Sequence, residues 1–393
     1  MSVAPVFSPQ ARLRIAIVAG EASGDLLGGM LISALLARFP SAEFVGIGGP
    51  RMQSAGCRSL FPMETLAVNG YVEVLRNLRA ILRIRKSLQR MLLADKPDVF
   101  IGIDAPDFNF GLEAKLKSAG IPTIHYVSPS IWAWRGERIK KVGRSVSHML
   151  ALFPMEPPLY QRAGIPVSYV GHPLADVFPD QPDRPGVREQ MRLPMQGLVF
   201  AFLPGSRQSE VRSLAACYIQ TMQLLHQQFP QAVFLVPLIS RQTRDIFQQE
   251  IYRQAASQLP IRIMFGHAHD AIVAADAVLV ASGTATLETA LLKRPMVITY
   301  KVASLTYRLM WHRKYLPYIG LPNVLAGRFI VPEILQDEAT PLNLAQALGN
   351  LVSHRQVTDQ LQQEFGRIHH LLRQNTAERA SDAIAPYLKT VTR

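Results

Sequence analysis

Short apolar runs alternate along the chain with longer segments in which apolar residues recur at helical spacing. In the first half, the apolar runs are RIAIVAG (14–20), EFVGIGG (43–49), VFIGID (99–104), TIHYVSP (123–129), HMLALF (148–153) and VSYVGH (167–172). Their continuous hydrophobicity is typical of parallel strands that are covered on both faces. Helical patterns lie between them, for example at 25–38, 71–93 and 108–119. This alternation predicts right-handed βαβ crossovers and a doubly wound α/β sheet.

The pattern stops at residues 179–197, whose proline and charge content predicts a linker. It then restarts with VFAFLPG (199–205), VFLVPL (233–238), IRIMFG (261–266), AVLVASG (277–283) and PMVITY (295–300). The sequence therefore predicts two doubly wound, Rossmann-like domains, with a ligand-binding interdomain cleft at the carboxyl ends of their strands. The expected division is 1–180, 198–355 and a helical tail at 356–393 that could pack back on the first domain.

Composition agrees with two globular domains and narrows the setting. The chain has 393 residues, of which 48% are hydrophobic and 18% charged, as in a well-buried protein. Its two cysteines, Cys57 and Cys217, lie too far apart in sequence for a disulfide framework or a cysteine-based zinc cluster. A reducing cytoplasm is expected. Residues 1–12 do not resemble a secretion signal, and we expect no transmembrane helix.

The formal net charge of +13 indicates anionic partners, namely nucleic acid, acidic lipid surfaces or phosphorylated substrates. No zinc finger, basic zipper or RNP-like string is present, and the arginines are dispersed. Residues 71–93 carry an apolar helical face beside a basic stripe of Arg76, Arg79, Arg83, Lys86 and Arg90. That pattern suits an anionic membrane interface. From the pattern alone, a core-facing helix whose arginines are solvated is the preferred interpretation.

Two loops of the first domain offer candidate chemistry at strand ends. GEASGD (20–25) has two glycines for a tight turn, Ser23 or Asp25 could cap the following helix, and its amides could bind a phosphate or sugar hydroxyl. An ordinary βα turn fits it as well. In GIDAPDFN (102–109), Asp104 ends an apolar strand, where partial desolvation could favour a general base. Asp107 could serve as a helix cap instead.

A third loop, HYVSPSIWAWR (125–135), is expected to place His125, Trp132, Trp134 and Arg135 at the edge of the cleft. The aromatic faces could stack on a sugar or pack against acyl chains, and the arginine could hold a phosphate. Core packing of the tryptophans is the alternative. Ser128 and Ser130 lack the GxSxG context of a nucleophile.

The second domain has two loops suited to a diphosphate. LPGSR (203–207) combines Ser206 and Arg207 with backbone amides. ASGTATLE (281–288) follows a strand and begins a helix, so that Gly283 and Thr284 could grip phosphate oxygens. Glu288, about one turn further, could accept ribose hydroxyl hydrogens, or it could close a capping box.

Together these strings resemble the lipid A disaccharide synthase family. The residues that carry the resemblance span roughly 14–335, namely VAGEASGD (18–25), GGPRMQSAGC (48–57), GIDAPDFN (102–109), HYVSPSIWAWR (125–135), VGHP (170–173), LPGSR (203–207), ASGTATLE (281–288) and LPNVLAGR (321–328). The resemblance implies a GT-B-like fold with an acceptor-side first domain and a UDP-sugar-binding second domain. It also implies an inverting transfer from UDP-2,3-diacylglucosamine to 2,3-diacylglucosamine-1-phosphate (lipid X), which gives a β-1,6-linked disaccharide 1-phosphate and UDP.

The resemblance also assigns residues. Asp104 is the expected base, and Arg207, Glu288 and Asn323 are expected around the UDP-sugar. The loop chemistry described above adds Ser206, Gly283 and Thr284 to the UDP-sugar site, and Ser23, Trp134 and Arg135 to the acceptor side. The family's membrane-contacting patch falls on Val72, Val74, Leu75, Leu78, Ile81 and Leu82. This favours a peripheral protein on the cytoplasmic side of the inner membrane. No metal or cofactor is expected, because cationic side chains and a helix dipole face the departing UDP. The alternatives are a UDP-sugar epimerase of similar fold and a basic nucleic-acid-binding protein.

Overall fold

The structure is a computed structural model that describes residues 13–66, 71–132, 136–301 and 316–388. Of residues 71–77 it describes the backbone only. The chain divides into two compact units. The first comprises Met1–Pro173 together with Leu372–Arg393, and the second comprises Leu174–Leu371. Each unit contains one parallel β-sheet with helices packed on it. The prediction of two doubly wound α/β domains is therefore confirmed.

The first unit is built on a seven-stranded sheet within the described residues. Its strands are β1 Arg14–Ala19, β2 Glu43–Ile47, β3 Cys57–Ser59, β4 Val99–Ile103, β5 Thr123–Tyr126, β6 His148–Ala151 and β7 Val167–Tyr169. Their spatial order is β3-β2-β1-β4-β5-β6-β7, and all pairs are parallel. From β1 the chain adds β2 and β3 on one side of this strand, and then adds β4 to β7 on the other side. The direction of strand order therefore reverses between β1 and β4. Ligands of such sheets bind at this reversal, outside the carboxyl ends of the strands.

Helices cover both faces of the first sheet. They are α1 Ala22–Arg38, α2 Pro50–Ser54, α3 Tyr71–Ala94, α4 Pro106–Ser118, α5 Ile139–Ser145 and α6 Pro157–Arg162, with 3-10 turns at Met63–Thr65 and Gly136–Arg138. Alternate residues of β1 point to opposite faces. Ile15 and Ile17 join one buried cluster with residues of α1, whereas Ala16 and Val18 join another with residues of α3 and α4. The carboxyl-terminal residues Ala380, Ile384 and Leu388 belong to the first of these clusters.

The second unit repeats the same topology. Its strands are β8 Val199–Leu203, β9 Val233–Leu238, β10 Ile261–Phe265, β11 Ala277–Ala281, β12 Met296–Tyr300 and β13 Glu333–Leu335, in the order β10-β9-β8-β11-β12-β13. Its helices are α7 Pro173–Val177, α8 Arg184–Gln190, α9 Gln208–Gln228, α10 Arg241–Arg253, α11 Ala268–Ala274, α12 Thr284–Leu291, α13 Leu321–Ala326, α14 Pro341–Ser353 and α15 Arg355–Leu372, with a 3-10 turn at Gln336–Glu338. A final helix, α16 Thr376–Leu388, belongs to the first unit. The strand order again reverses, here between β8 and β11.

The segment 179–197, predicted to be a linker, is instead folded against the second sheet. It contains α8, whose Arg188 is 2% exposed. The guanidinium donates to the carbonyl of Ala274, to three carbonyls within 194–197 and to the carboxylate of Asp276. Buried ionic groups are tolerated when they are paired and hydrogen-bonded in this way. One arginine therefore holds a proline-rich segment against the sheet.

A second buried ionisable group lies beyond β6 in the first unit. Glu156 is 1% exposed, and its carboxyl accepts a hydrogen bond from the backbone N–H of Phe153 at 3.1 Å. The side chains of Ser128 and Trp132 also bond to it. Burial raises the pKa of Glu156 to about 8, because these hydrogen bonds only partly offset the loss of solvation. The group thus links the loops that follow β5 and β6.

The raised pKa of Glu156 predicts that the stability of the chain depends on pH. Between pH 4.5 and about 8, the folded chain keeps a proton that the unfolded chain releases, so protons stabilise the fold. This contribution is complete below the unfolded pKa and is lost as pH rises through the folded one, by roughly 1.4 kcal/mol per pH unit. Glu156→Gln removes it, because an amide does not titrate.

Urea unfolding across this pH range measures the effect. The free energy of unfolding of Glu156→Gln should rise relative to that of the unmodified chain as pH increases, and the difference should level off above about pH 8. Glu189→Gln, on the exposed surface of α8, is the matched control and should follow the unmodified chain at every pH. Parallel curves for Glu156→Gln and the unmodified chain would contradict the prediction.

Candidate active site

The loop after β4 holds Asp104 in an uncommon backbone conformation. Asp104 and Ala105 have φ angles of 49° and 43°, both in the left-handed region. Residues other than glycine adopt it at a cost of about 1–2 kcal/mol each. The N–H of Asp104 donates to the carbonyl of Tyr126 at 2.8 Å, which ties the turn to β5. The partly buried carboxylate of Asp104 therefore lies at the reversal of the first sheet, on a turn that the surrounding structure holds under strain.

The loop after β1 packs directly against this turn. A Cβ added at Gly20 would lie 2.8 Å from the Cβ of Ala105, so only glycine permits the approach. Ser23 is exposed in the first turn of α1. The expectation that Ser23 or Asp25 caps α1 is wrong, since α1 has no side-chain cap. Asp25 is buried one turn into α1. Its carboxylate accepts the backbone N–H groups of Arg51 and Met52 in α2 and not those of its own helix end.

The second carboxylate of GIDAPDFN has a different environment. Asp107 is exposed in the first turn of α4, whose N-cap is Ala105 with no side-chain hydrogen bond. The suggestion that Asp107 caps this helix is therefore wrong, because the helix already begins at Pro106. The backbone carbonyl of Asp107 accepts a hydrogen bond from the Arg85 guanidinium at 3.3 Å. Of the two aspartates, only Asp104 lies on the strained turn.

The loop after β5 begins with a second strained residue. Val127 has a φ of 82°, an outlier for a β-branched side chain. Ser128 follows and is hydrogen-bonded to Tyr160 at 2.6 Å, and the indole of Trp132 bonds to Glu156. Trp134 and Arg135 lie outside the described residues. The expectation that His125 borders the site is wrong, because His125 lies within β5 and is fully buried.

In the second unit, the LPGSR loop follows β8 at the reversal of the sheet. Ser206 and Arg207 are exposed, and Arg207 is the N-cap of α9. The N–H groups of both residues donate to one carboxylate oxygen of Glu210, at 3.0 and 3.1 Å. The other oxygen lies 3.2 Å from the Arg207 guanidinium. The amides that we expected to hold a diphosphate are thus occupied by Glu210, and the loop offers the guanidinium and the Ser206 hydroxyl instead.

The loop after β11 lies on the other side of the same reversal. Gly283 is the N-cap of α12, which has no side-chain cap. Gly283 and Thr284 are exposed, and a Cβ added at Gly283 would meet nothing within 4 Å. The hydroxyl of Thr286 turns inward and donates to the carbonyl of Gly283 at 2.7 Å. The first amides of a helix have no acceptor within it, so this end can receive an anion.

Glu288 does not close a capping box, because no side chain caps α12. Its carboxylate lies 3.0 Å from Nε2 of His269 on α11. This hydrogen bond raises the pKa of His269, against the opposing effect of burial. The ring of Phe178 meets the imidazole edge-on at 4.8 Å. His269 is not among the site residues predicted from the sequence, although the string GHAHD directly after an apolar strand is a signal for it.

Asn323 has a structural environment. It is fully buried, its amide nitrogen donates to Val331 and Glu333, and its oxygen accepts the N–H groups of Ile330 and Val331, all at 2.8–2.9 Å. These four bonds hold the loop that leads into β13, and direct contact with a nucleotide sugar stays a prediction. Among the described residues, no group of three or more His, Cys, Asp or Glu side chains is placed to hold a metal ion.

Helix α3 has a buried side and an exposed side that carries both apolar and basic residues. Leu88 and Leu92 are buried in the first unit, and Ile81 packs partly against the same cluster. Leu78 and Leu82 are 39% and 41% exposed. The basic residues Arg79, Arg83, Lys86 and Arg90 are exposed, whereas the side chains of Val72, Val74 and Leu75 lie outside the described residues. No helix in the described part of the chain is long and apolar enough to cross a membrane.

The fold is shared with solved structures, two of which contain UDP or UDP-GlcNAc. S. aureus MnaA in a co-structure with UDP matches with a TM-score of 0.62 and 12% identity over 96% of both chains. The glycotransferase of kitacinnamycin matches at 0.61 and 16%, over 96% of this chain and 99% of that one. UDP-GlcNAc 2-epimerase from Neisseria meningitidis, bound to UDP-GlcNAc, matches at 0.61 and 11%, over 95% and 99%. These identities show the GT-B-like fold alone.

Sequence comparison is far more specific. The family model described as lipid-A-disaccharide synthetase matches residues 15–385. Lipid-A-disaccharide synthase from Methylobacillus flagellatus is 59% identical over 95% of this chain and 99% of its own length. The enzymes of the same name from Aromatoleum aromaticum and Burkholderia pseudomallei are 58% and 53% identical, each over 95% of this chain and 96% of their own length. The chain therefore belongs to the lipid-A-disaccharide synthase family of glycosyltransferases.

Proposed function

We propose that this protein transfers a diacylglucosamine unit from UDP-2,3-diacylglucosamine to the 6-hydroxyl of lipid X, with release of UDP and inversion at the anomeric carbon. Membership of the family over residues 15–385 supports the reaction. The observation that carries the mechanism is Asp104, held on a strained turn at the reversal of the first sheet. The sequence relatives described above are lipid-A-disaccharide synthases, which favours a synthase over a UDP-sugar epimerase or a nucleic-acid-binding protein.

On the acceptor side, Asp104 acts as the general base. Its carboxylate removes the proton of the acceptor hydroxyl as the oxygen attacks the donor, so an α-linked donor becomes a β-glycoside. The neighbouring loops that follow β1 and β5 bind the acceptor, with Ser23, Trp134 and Arg135 as proposed contacts. No covalent intermediate is required, because one displacement at the anomeric carbon inverts it.

On the donor side, the second unit binds UDP. The exposed guanidinium of Arg207 and the first amides of α12, at Gly283 and Thr284, stabilise the charge that develops on the departing diphosphate. Glu288 accepts hydrogen bonds from the ribose hydroxyls. His269, whose imidazole is hydrogen-bonded to the Glu288 carboxylate, orients it. Asn323 contributes through the loop that it holds, and the Ser206 hydroxyl adds a further donor.

The membrane contact is assigned to the amino-terminal half of α3. Two exposed leucines, Leu78 and Leu82, lie beside exposed arginines, a combination that suits an acidic lipid surface. We assign Val72, Val74 and Leu75 to the same surface, whereas Ile81 is explained by packing in the first unit. The protein is thus proposed to act at the cytoplasmic surface of the inner membrane, where both acylated substrates reside.

Replacing Asp104 by asparagine tests the base. Asparagine also tolerates the left-handed conformation, so the turn should persist while the proton acceptor is lost. Acceptor-dependent UDP release in mixed micelles should fall at least about 100-fold, with UDP affinity unchanged. Asp107→Asn, on the exposed start of α4, is the matched control and should keep full turnover. Near-normal turnover by folded Asp104→Asn would overturn the assignment, and acceptor-independent UDP release would overturn the transferase.

Arg207→Ala tests the diphosphate contact. A charge-assisted hydrogen bond contributes about 1.5–3 kcal/mol, so UDP should bind roughly 10–150-fold more weakly by titration calorimetry. Arg253→Ala is a close control, because Arg253 is similarly exposed and pairs with Glu250 at three-residue spacing, as Arg207 does with Glu210. Equal affinities for UDP in the two variants would remove Arg207 from the binding site.

The double substitution of Leu78 and Leu82 by aspartate tests the membrane surface. Loss of apolar insertion and repulsion from acidic lipid should reduce cosedimentation with anionic vesicles by about tenfold or more. Leu342→Asp provides the control, because Leu342 is a strongly exposed leucine of the second unit. If the double variant and the control bind vesicles equally well, α3 is not the contact surface.

A further inference from the structure

The buried side chain of Asn109 bonds to the strained turn at Asp104, in addition to the backbone bond between Asp104 and Tyr126. Asn109 is fully buried in the first turn of α4. Its Nδ2 donates to the carbonyl of Asp104 at 2.8 Å and to that of Ile103 at 3.4 Å. Its backbone N–H donates to the carbonyl of Ala105 at 3.0 Å. The Asn109 amide therefore bonds two consecutive carbonyls of the turn, and its backbone N–H shares the carbonyl of Ala105 with the N–H of Phe108.

Three polar atoms beside this turn are buried and have no hydrogen-bond partner within the part of the chain that the structure describes. They are Oδ1 of Asn109, Oε2 of Glu113 and Nε2 of His125. Asn109 and Glu113 both pack against Gly102, since a Cβ added there would lie 2.2 Å from Oε1 of Glu113 and 3.0 Å from Cγ of Asn109. Native proteins rarely leave buried polar atoms unpaired, because each one costs about 1–3 kcal/mol. Asn109 and Glu113 are four residues apart on α4, so their side chains are neighbours on one face of the helix, and a proton on Glu113 would let its carboxyl donate to the Asn109 oxygen.

Glu113 is the group that can carry this proton. It is fully buried, and burial raises its pKa more than the neighbouring His125 lowers it. Nδ1 of His125 lies 2.7 Å from Oε1 of Glu113, and the imidazole packs on the ring of Phe110 at 4.4 Å. An ionised pair would leave a charged N–H and a charged oxygen unbonded in the interior. In a neutral pair, His125 donates to Oε1, and the proton on Oε2 is free to bond Asn109.

We propose that Asn109 is a positioning residue for Asp104, and that a protonated Glu113, itself held by His125, orients the Asn109 amide. The inference rests on the proposed role of Asp104 as the base. Hydrogen bonds run from His125 through Glu113 to Oδ1 of Asn109, and from Nδ2 of Asn109 to the Asp104 carbonyl. Together they restrict the turn to one conformation and fix the direction in which the Asp104 carboxylate points.

Steady-state kinetics of Asn109→Ala test the positioning. We expect kcat to fall at least about tenfold, because misplacing a reacting group by about 1 Å is sufficient for a large loss. KM for the UDP-sugar and the affinity for UDP should stay within about twofold, since the second unit binds them. Unchanged kcat, or a loss confined to KM, would overturn the proposal.

Two substitutions of Glu113 test the proton. In Glu113→Gln, the amide oxygen still accepts from His125 and the amide NH₂ donates to Asn109, as the protonated acid does, so kcat should stay within about threefold. Glu113→Leu has a similar volume and no donor, so kcat should fall as in Asn109→Ala. We expect the melting temperature of Glu113→Leu to be no lower than that of Glu113→Gln, so that its loss of kcat cannot be explained by a loss of stability. Equal losses of kcat in both Glu113 variants would overturn the proposal that Glu113 is protonated and donates to Asn109.

The same assay separates this inference from the proposed function. If Asp104→Asn loses turnover while Asn109→Ala keeps it, Asp104 remains the base and only the positioning role is overturned. If Asp104→Asn keeps turnover, the assignment of the base fails, and the positioning inference fails with it.

Discussion

The reversal of strand order beside the first strand of each sheet is the constraint on which both candidate sites depend. In the first unit, α1 and α4 follow the two strands at this point and pack on opposite faces of the sheet. The loops that precede them must therefore diverge, and backbone groups and side chains at the strand ends are left free for a ligand. The same topology carries different chemistry in the two units. The first presents a carboxylate at Asp104, and the second presents Arg207 and the uncapped start of α12.

Two buried acids lie beneath the loops of the first site that follow β4, β5 and β6. Burial raises the pKa of Glu113 and raises that of Glu156 to about 8, which shifts both carboxyls toward the neutral form. A neutral carboxyl can donate a hydrogen bond, which a carboxylate cannot. The distinction matters for a chain with a formal charge of +13 and proposed substrates that carry phosphate. Ionised acids in these positions would oppose the approach of such substrates, whereas neutral ones only shape the loops.

Local sequence identified the framework well and the contacts poorly. Continuous apolar runs predict every long strand and also the short edge strand β7, but not β3 and β13, because the residues CRS of β3 and EIL of β13 include charged side chains and form no continuous apolar run. Asp104 was found because it ends an apolar run. The predicted strand at 123–129 ended three residues too late, and His125 was placed at the rim because a strand end cannot be located to one residue by hydrophobicity. The bonds of Arg188 to Ala274 and Asp276 cross more than 80 residues, a separation that composition cannot reveal.

The arrangement around Glu210 explains how the LPGSR loop can be both well ordered and ready for an anion. Glu210 receives two backbone N–H groups and the Arg207 guanidinium. An exposed ion pair contributes only about 0–1 kcal/mol, so Arg207 can leave it at small cost. Glu210 then keeps its two backbone hydrogen bonds and is not left unsatisfied. The carboxylate therefore holds the turn, and the guanidinium remains available to a diphosphate, which divides structure and recognition between two neighbouring side chains.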